Sequence, residues 1–412
     1  MKVITVTLNP SLDKTLYFDG RFTPGTLNRA KQAVEHAGGK GINVARMYRL
    51  LDLQATALGF LGGDNGNILA KKMLAEHIAC HFVKTEMPTR CCYKMIDQYG
   101  VCTEANEAGG PIREEELRRL ISAIDRTVEE TPRNETQARR CESEETDTHV
   151  ILHSEADKGQ TSRGEDEKVF SFFEGAGQMA QAANQAKCAA QNSVERTYLF
   201  LGGSIPDGIK RGIYAGMIEK YQTEHLRVIL DADGEALRLG LEARPWLIKP
   251  NREELQALVG RPIKTAEEVA QMSRVINNAY HTNVLCTLGE DGAVFTDHLC
   301  SLHVTAPKVE LKGFTGAGDT FLSCFVFAYE KSGENVSAAL RFASAAAAAK
   351  IEMVGTALPG RERIVKYLGM PQVRQVAGSL KNTYPSRTQT SDFFIDQPQT
   401  KTKTPSEQQN RV

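Results

Sequence analysis

The sequence predicts an α/β fold in which a mostly parallel sheet is covered by helices on both faces. Three observations carry that prediction. Short apolar runs alternate with helical stretches along most of the chain, and glycine-rich turns stand where one gives way to the other. With 412 residues and 41% apolar content, the chain is long enough to bury a large core.

Strand patterns fall at residues 3–8, 55–60, 197–201, 227–230, 246–249 and 284–288. The first begins directly after Met1-Lys2, which leaves no room for the charged and apolar regions of a secretory signal. Helical patterns follow Gly38-Gly39 at 45–51 and recur at 114–127, 214–222, 253–259 and 266–279. The apolar run 320–327 extends a further helix. Alanines 345–349, flanked by Arg341 and Lys350, read as a close-packed one. Nothing approaches the roughly 20 apolar residues that span a bilayer. Ligands of such sheets bind at the carboxyl ends of the strands, where the glycine turns lie.

Two stretches do not follow this plan. Residues 129–192 are rich in Glu, Gln, Arg, Thr and Ala, with 150–152 and 169–173 as apolar islands, and read as an inserted surface loop. A partner-binding or regulatory segment is the sharper alternative. The tail 377–412, dominated by Lys, Thr, Gln, Ser and Pro, is expected to be mobile.

Gly316-Ala317-Gly318-Asp319 precedes the apolar helix. A glycine turn opening a helix offers unpaired backbone N–H groups to an anion, and an adjacent carboxylate can take a proton from a hydroxyl. Together they are sufficient for moving a phosphoryl group onto an alcohol once a nucleotide is held in line. The same residues are also an ordinary way to turn a chain and cap a helix. The turn has no Gly-Lys followed by Ser or Thr, so it is not a P-loop. A second glycine turn, Gly38-Gly39-Lys40-Gly41-Ile42-Asn43, leads into the first helix and adds an amide to the same kind of site.

These two segments resemble the two signatures of the PfkB, or ribokinase-like, family of carbohydrate kinases. Between them, in the family's order, stand Lys249-Pro250-Asn251-Arg252-Glu253-Glu254 and Thr287-Leu288-Gly289-Glu290-Asp291-Gly292. The opening residues 5–15, the segment Gly25-Thr26-Leu27-Asn28-Arg29, residues 59–66, and Thr89-Arg90 with Lys94 are similar to the 1-phosphofructokinase and tagatose-6-phosphate kinase branch. The resemblance covers residues 1 to about 130 and about 193 to 370. It implies a three-layer α/β/α sandwich with a small β lid built from about 14–36 and 90–106, within a kinase domain over 1–376. Lids of this family often pair between subunits, so a homodimer is implied.

The resemblance also assigns roles. Asp319 would be the general base, and Gly316, Ala317 and Gly318 would form the anion hole with it. Asp13, Asn28, Arg29, Gly38, Gly39, Lys40, Asn43, Arg90, Lys94 and Glu107 would bind the sugar phosphate, whose charge calls for cations. Lys249, Asn251, Thr287, Gly289 and Gly292, with Gly316 and Gly318, would face ATP. Asn251 and Glu254 would organise Mg2+ through water. Asp291-Gly292 is also a strong hairpin pair in any protein.

Several positions depart from the family pattern. Lys312, Gly313 and Phe314 precede the glycine turn where small polar residues are usual. Gly202 replaces a serine, a second glycine follows Gly109, and Cys92 stands where an amide is common.

The implied activity is ATP-dependent phosphorylation of a ketohexose phosphate, foremost fructose 1-phosphate to fructose 1,6-bisphosphate. Tagatose-6-phosphate kinase and 6-phosphofructokinase are the alternatives within the class, and a non-catalytic sugar-phosphate sensor is the alternative outside it. Fifty basic against 51 acidic residues give a formal charge of −1, without bulk attraction to nucleic acid or membrane. Nine scattered cysteines with no Cys-x-x-Cys pair suit reduced thiols in a cytoplasm. Residues 77–92 contain His77, Cys80, His81, Cys91 and Cys92 at spacings poor for a metal site and better suited to packing.

Overall fold

A computed structural model describes residues 1–130, 149–152, 196–311, 313, 315–353 and 355–376. In chain order the first elements are β1 (Lys2–Thr7), β2 (Ser11–Tyr17), β3 (Gln32–Gly38), α1 (Lys40–Leu50), β4 (Ala55–Gly62), α2 (Gly63–Ala75) and β5 (Ala79–Thr85). Next come β6 (Arg90–Ile96), β7 (Cys102–Asn106), α3 (Glu114–Glu129), β8 (His149–Leu152), β9 (Thr197–Gly202), α4 (Ile213–Tyr221), β10 (Leu226–Asp231) and α5 (Gly234–Glu242). Then follow β11 (Leu247–Ile248), α6 (Arg252–Val259), α7 (Ala266–Tyr280), β12 (Asn283–Thr287), β13 (Ala293–Thr296) and β14 (Ser301–Val304). The last are α8 (Ala317–Lys331), α9 (Val336–Ile351), α10 (Arg361–Tyr367) and β15 (Val373–Gln375).

Among the described residues the strands form two sheets. The larger has eleven strands in the order β15-β14-β13-β12-β11-β10-β9-β1-β4-β5-β8. From β12 to β5 every pairing is parallel, and antiparallel strands close both edges. Alternation along β9 shows why both faces are covered. Tyr198 and Phe200 enter one core, with side chains of α1, α2, α8 and α9, while Leu199 and Leu201 enter the other, with α3 to α7. The expected α/β class with a mostly parallel sheet is what the chain forms.

The apolar island at 150–152 departs from the expected surface loop. As part of β8 it pairs antiparallel with Cys80–Val83, covering an edge that would otherwise expose unpaired backbone groups. The remainder of the 129–192 insertion beyond Glu130, the 169–173 island and the 377–412 tail lie outside the described residues. Among the described residues no helix is long and apolar enough to cross a membrane.

The smaller sheet has the order β3-β2-β6-β7. It stands at the rim where the parallel strands end, because β2 begins four residues after β1 and β6 five residues after β5. β3 runs to Gly38 and α1 starts at Lys40, so Gly39 alone connects strand to helix.

Candidate active site

α8 opens at that rim. Gly316 caps it in the left-handed conformation, φ 80°, which a residue with a Cβ adopts only under strain. Thr320 N–H is the first to close the helix, on Gly316 O at 2.9 Å. The amides of Ala317, Gly318 and Asp319 before it are the helix's unsatisfied donors, and they lie at the positive end of its dipole.

Asp319 is buried, and Asn43 Nδ2 on α1 donates to its Oδ2 at 2.7 Å. Burial pushes its carboxyl above the usual carboxylate range, and the charge of Asp231 pushes the same way. Lys40, the Asn43 hydrogen bond and Lys249 oppose the shift. A carboxylate so placed is held ready to accept a proton.

Asp231, the last residue of β10, was not singled out in the sequence. Lys40 Nζ lies 2.6 Å from its Oδ1 and Lys249 Nζ 3.3 Å from the same atom. Burial alone would raise its pKa, but the two ammonium groups outweigh burial and hold it ionised. Burial likewise works against the charged form of Lys40, and the charges of Asp231 and Asp319 overcome it, lifting the ammonium above the ordinary lysine range. The available signal was positional: an acidic residue ending a parallel strand, where such sheets bind ligands.

Gly202, the departure from serine, lies on this pair. A Cβ there would stand 3.1 Å from Asp231 O and 3.3 Å from Lys40 Cβ, so a side chain would crowd it. Lys249 Nζ also lies 3.5 Å from where a Cβ on Gly318 would be, which joins the nucleotide candidates to the glycine turn.

Asp13 and Lys94 meet as a buried ion pair at 2.7 Å, and Ser11 Oγ donates to Asp13 Oδ1 at 2.7 Å. Gly38 is held close: a Cβ there would stand 2.2 Å from Asp13 Oδ1. Arg90 donates to Glu107 O and to Asn9 O, both at 3.1 Å, while its Nε is buried without a partner. The Glu107 carboxylate accepts from Cys91 N at 2.7 Å. Cys92, beside Asp13, has its thiol pKa raised by burial.

Other candidates stand apart. Asn28 is taken up by its own loop, bonded to Thr23 and Thr26, and Arg29 is exposed; neither is hydrogen-bonded to the Asp319 centre. Gly289 and Asp291 form a 3-10 turn between β12 and β13, so this motif is a hairpin at the rim, with Thr287 N donating to Pro250 O at 3.0 Å. Lys312 and Phe314 lie outside the described residues.

Asn251 and Glu254 first serve α6. Asn251 Oδ1 accepts from Glu254 N and Glu254 Oε2 from Asn251 N, each at 2.8 Å, a complete capping box. Among the described residues no group of three or more His, Cys, Asp or Glu is arranged to hold a metal. Asp231 Oδ2, however, is buried with no hydrogen-bond partner, an anionic oxygen at the centre of the site. That one hard anionic oxygen is the kind of donor suited to Mg2+, an ion that keeps several waters and takes other ligands from phosphates.

The sequence matches the pattern of the pfkB family carbohydrate kinases over residues 6–128 and 147–363. A 1-phosphofructokinase of Vibrio cholerae is 26% identical over 363 residues, spanning 88% of this chain and 93% of that one. Phosphofructokinase-2 of Escherichia coli superposes with a TM-score of 0.67 at 24% identity, over 89% of this chain and 98% of its own. Ribokinase of Thermotoga maritima superposes with a TM-score of 0.58 at 18% identity, over 89% and 99%. The last two likenesses speak to the fold, which is ribokinase-like. With its pattern matched over most of the sequence, this chain belongs to the pfkB family of carbohydrate kinases.

Proposed function

We propose that this kinase transfers the terminal phosphoryl group of ATP to the C6 hydroxyl of fructose 1-phosphate, giving fructose 1,6-bisphosphate and ADP. The observation that carries the reading is the left-handed glycine cap of α8 with Asp319 pinned by Asn43 beside it. The hydroxyl oxygen forms the new bond to phosphorus as the bond to ADP breaks, and the hydroxyl proton passes to Asp319. The amides of Ala317, Gly318 and Asp319 take the charge that gathers on the transferred oxygens. Lys40 and Lys249 flank that charge from β10's rim. Asp13 would orient sugar hydroxyls, and Arg90 would meet the acceptor's phosphate. Asn251, Glu254 and Asp231 would hold Mg2+ through water, and the bound ion would neutralise charge on the nucleotide phosphates. The Vibrio cholerae relative's name supports fructose 1-phosphate as acceptor. A cytoplasmic site of action follows from ATP as donor.

The lid is read as a homodimer contact. Leu27, Tyr99 and Val101 are exposed by 74%, 71% and 58% in the two lid loops, which Gln98 N and Gly20 O join at 3.4 Å. A second copy of the chain would cover them. Light scattering should find a dimer that Tyr99→Glu dissociates, and a monomeric wild type would refute this contact.

Turnover of purified protein with MgATP against fructose 1-phosphate, tagatose 6-phosphate and fructose 6-phosphate tests the assignment. A kcat/KM for fructose 1-phosphate at least about tenfold above the others is expected. Preference for another acceptor corrects the substrate, and sugar-phosphate binding without any turnover leaves the sensor in its place.

A further inference from the structure

We propose that Lys350 is a positioning residue for phosphoryl transfer: an ammonium supplied by the chain itself, anchoring Gly355 beneath the glycine turn of α8 and setting positive charge behind its anion-binding amides. The inference rests on the reading of that turn as the phosphoryl site.

Lys350 lies in the last turn of α9 and is 1% exposed. Its Nζ donates to the backbone oxygen of Gly355 at 2.7 Å, and among the described residues no carboxylate forms an ion pair with it. A lysine buried without a carboxylate is costly, so its retention needs a compensating role or a compensating anion. An apolar side chain of similar size would fill the same place without that cost.

The geometry places the ammonium stem under the catalytic turn. A Cβ on Gly316 would stand 3.6 Å from Lys350 Cε and 3.8 Å from Asn43 Nδ2, so the lysine and the amide that pins Asp319 bound the same space. The segment before the turn is tied to the end of α9 as well, through Gly313 N and Ile351 O at 3.1 Å. Arg46 on α1 holds the next carbonyl, Thr356 O, at 3.1 Å. Two cations thus grip successive carbonyls, and the peptide they hold packs against the lid: a Cβ on Gly355 would stand 3.2 Å from Thr15 Oγ1 and 3.7 Å from Tyr17 Oη.

The charged groups acting on Lys350 are Arg46 on α1, Lys94 on β6 and Asp319 on α8. Burial and the two cations press it toward the neutral form, while Asp319 favours the ammonium. A phosphoryl group gathering charge at the amides would add to the second influence. The ammonium is therefore stabilised most when the transition state forms, which is the condition for accelerating the step.

Lys350→Met keeps most of the length of the side chain and removes charge and donor. It should lower kcat by roughly 10- to 100-fold with KM for the sugar phosphate nearly unchanged, an effect smaller than losing a direct donor. Lys350→Ala opens space for a small cation, and ammonium or methylammonium should restore its kcat saturably while tetramethylammonium should not. A residue that only fills space would leave the methionine variant active and the alanine variant deaf to ammonium. A Lys350→Met kcat within about threefold of wild type overturns the proposal, as does an alanine variant of native thermal stability that ammonium does not rescue. If the alanine variant fails to fold, the methionine variant decides. Hydrogen exchange without substrate separates this from failure of the kinase reading. Faster exchange in segments 315–320 and 351–356 of Lys350→Met is expected whether or not any sugar phosphate turns over, and unchanged exchange refutes the anchor.

Discussion

Asn43 donates to Asp319 across 276 positions of sequence, with 2.7 Å between amide nitrogen and Oδ2. The bond joins α1, which follows the first glycine turn, to α8, which follows the second, so both turns are set by one contact. It also fixes Oδ2 as the carboxylate oxygen that the amide occupies.

Asp319→Asn tests the base directly. The amide is nearly isosteric, so sugar-phosphate binding measured by calorimetry should be retained. Turnover should fall by about 10²–10⁴-fold, the range a positioned general base supplies. A kcat within tenfold of wild type would rule Asp319 out as the proton acceptor.

The pH profile should have two limbs. Turnover needs Asp319 ionised, and burial has raised its pKa, so activity should decline on acidification while ordinary exposed carboxylates are still charged. Asn43 lowers that pKa by its hydrogen bond, hence Asn43→Leu should move the acid limb to higher pH. The alkaline limb belongs to Lys350, which burial brings down to about 8. Above that value the folded protein has lost a proton that the unfolded chain keeps up to about 10.4. This group's contribution to stability therefore rises with pH across the interval in which activity falls. Lys350→Met should lack the alkaline limb, and a profile unchanged by that substitution would assign the limb elsewhere.

The ion pair of Asp13 and Lys94 should behave as a buried unit. Removing one partner strands a charge, and Lys94→Met is expected to cost about 3–5 kcal/mol in urea unfolding. Adding Asp13→Asn to that background should recover a good part of the loss, because the stranded carboxylate is gone. Additive losses in the double variant would mean that the two side chains do not stabilise one another.

How much of this was legible follows from how local each feature is. Gly316 to Asp319 could be read because an anion-binding turn is built from consecutive residues. Asn251 and Glu254 stand out through the family resemblance, yet their spacing is also that of a capping box, and the fold uses it as one. Asp231 matters only because Lys40 at the start of α1 and Lys249 just after β11 converge on it, and a single acidic residue carries no mark of that. Lys350 was read as the flank of an alanine run. Its partner is five residues further on, in a turn that helical periodicity does not describe.

The hairpin glycines separate structure from nucleotide binding. Gly292 has φ +90°, and a Cβ there would lie 1.9 Å from Val304 O. Backbone would have to move, so Gly292→Ala should destabilise by at least about 2 kcal/mol whatever the hairpin binds. Gly289 has φ +61° with open space around it. Gly289→Ala should therefore cost only about 1 kcal/mol of conformational strain. Its new methyl group would project from the turn proposed to lie against ATP. A raised KM for ATP, with the KM for fructose 1-phosphate unaltered, is the expected result. An unaltered KM for ATP would leave Gly289 as a turn residue only, and the nucleotide contact would then have to come from the Lys249 and Gly318 side of the rim.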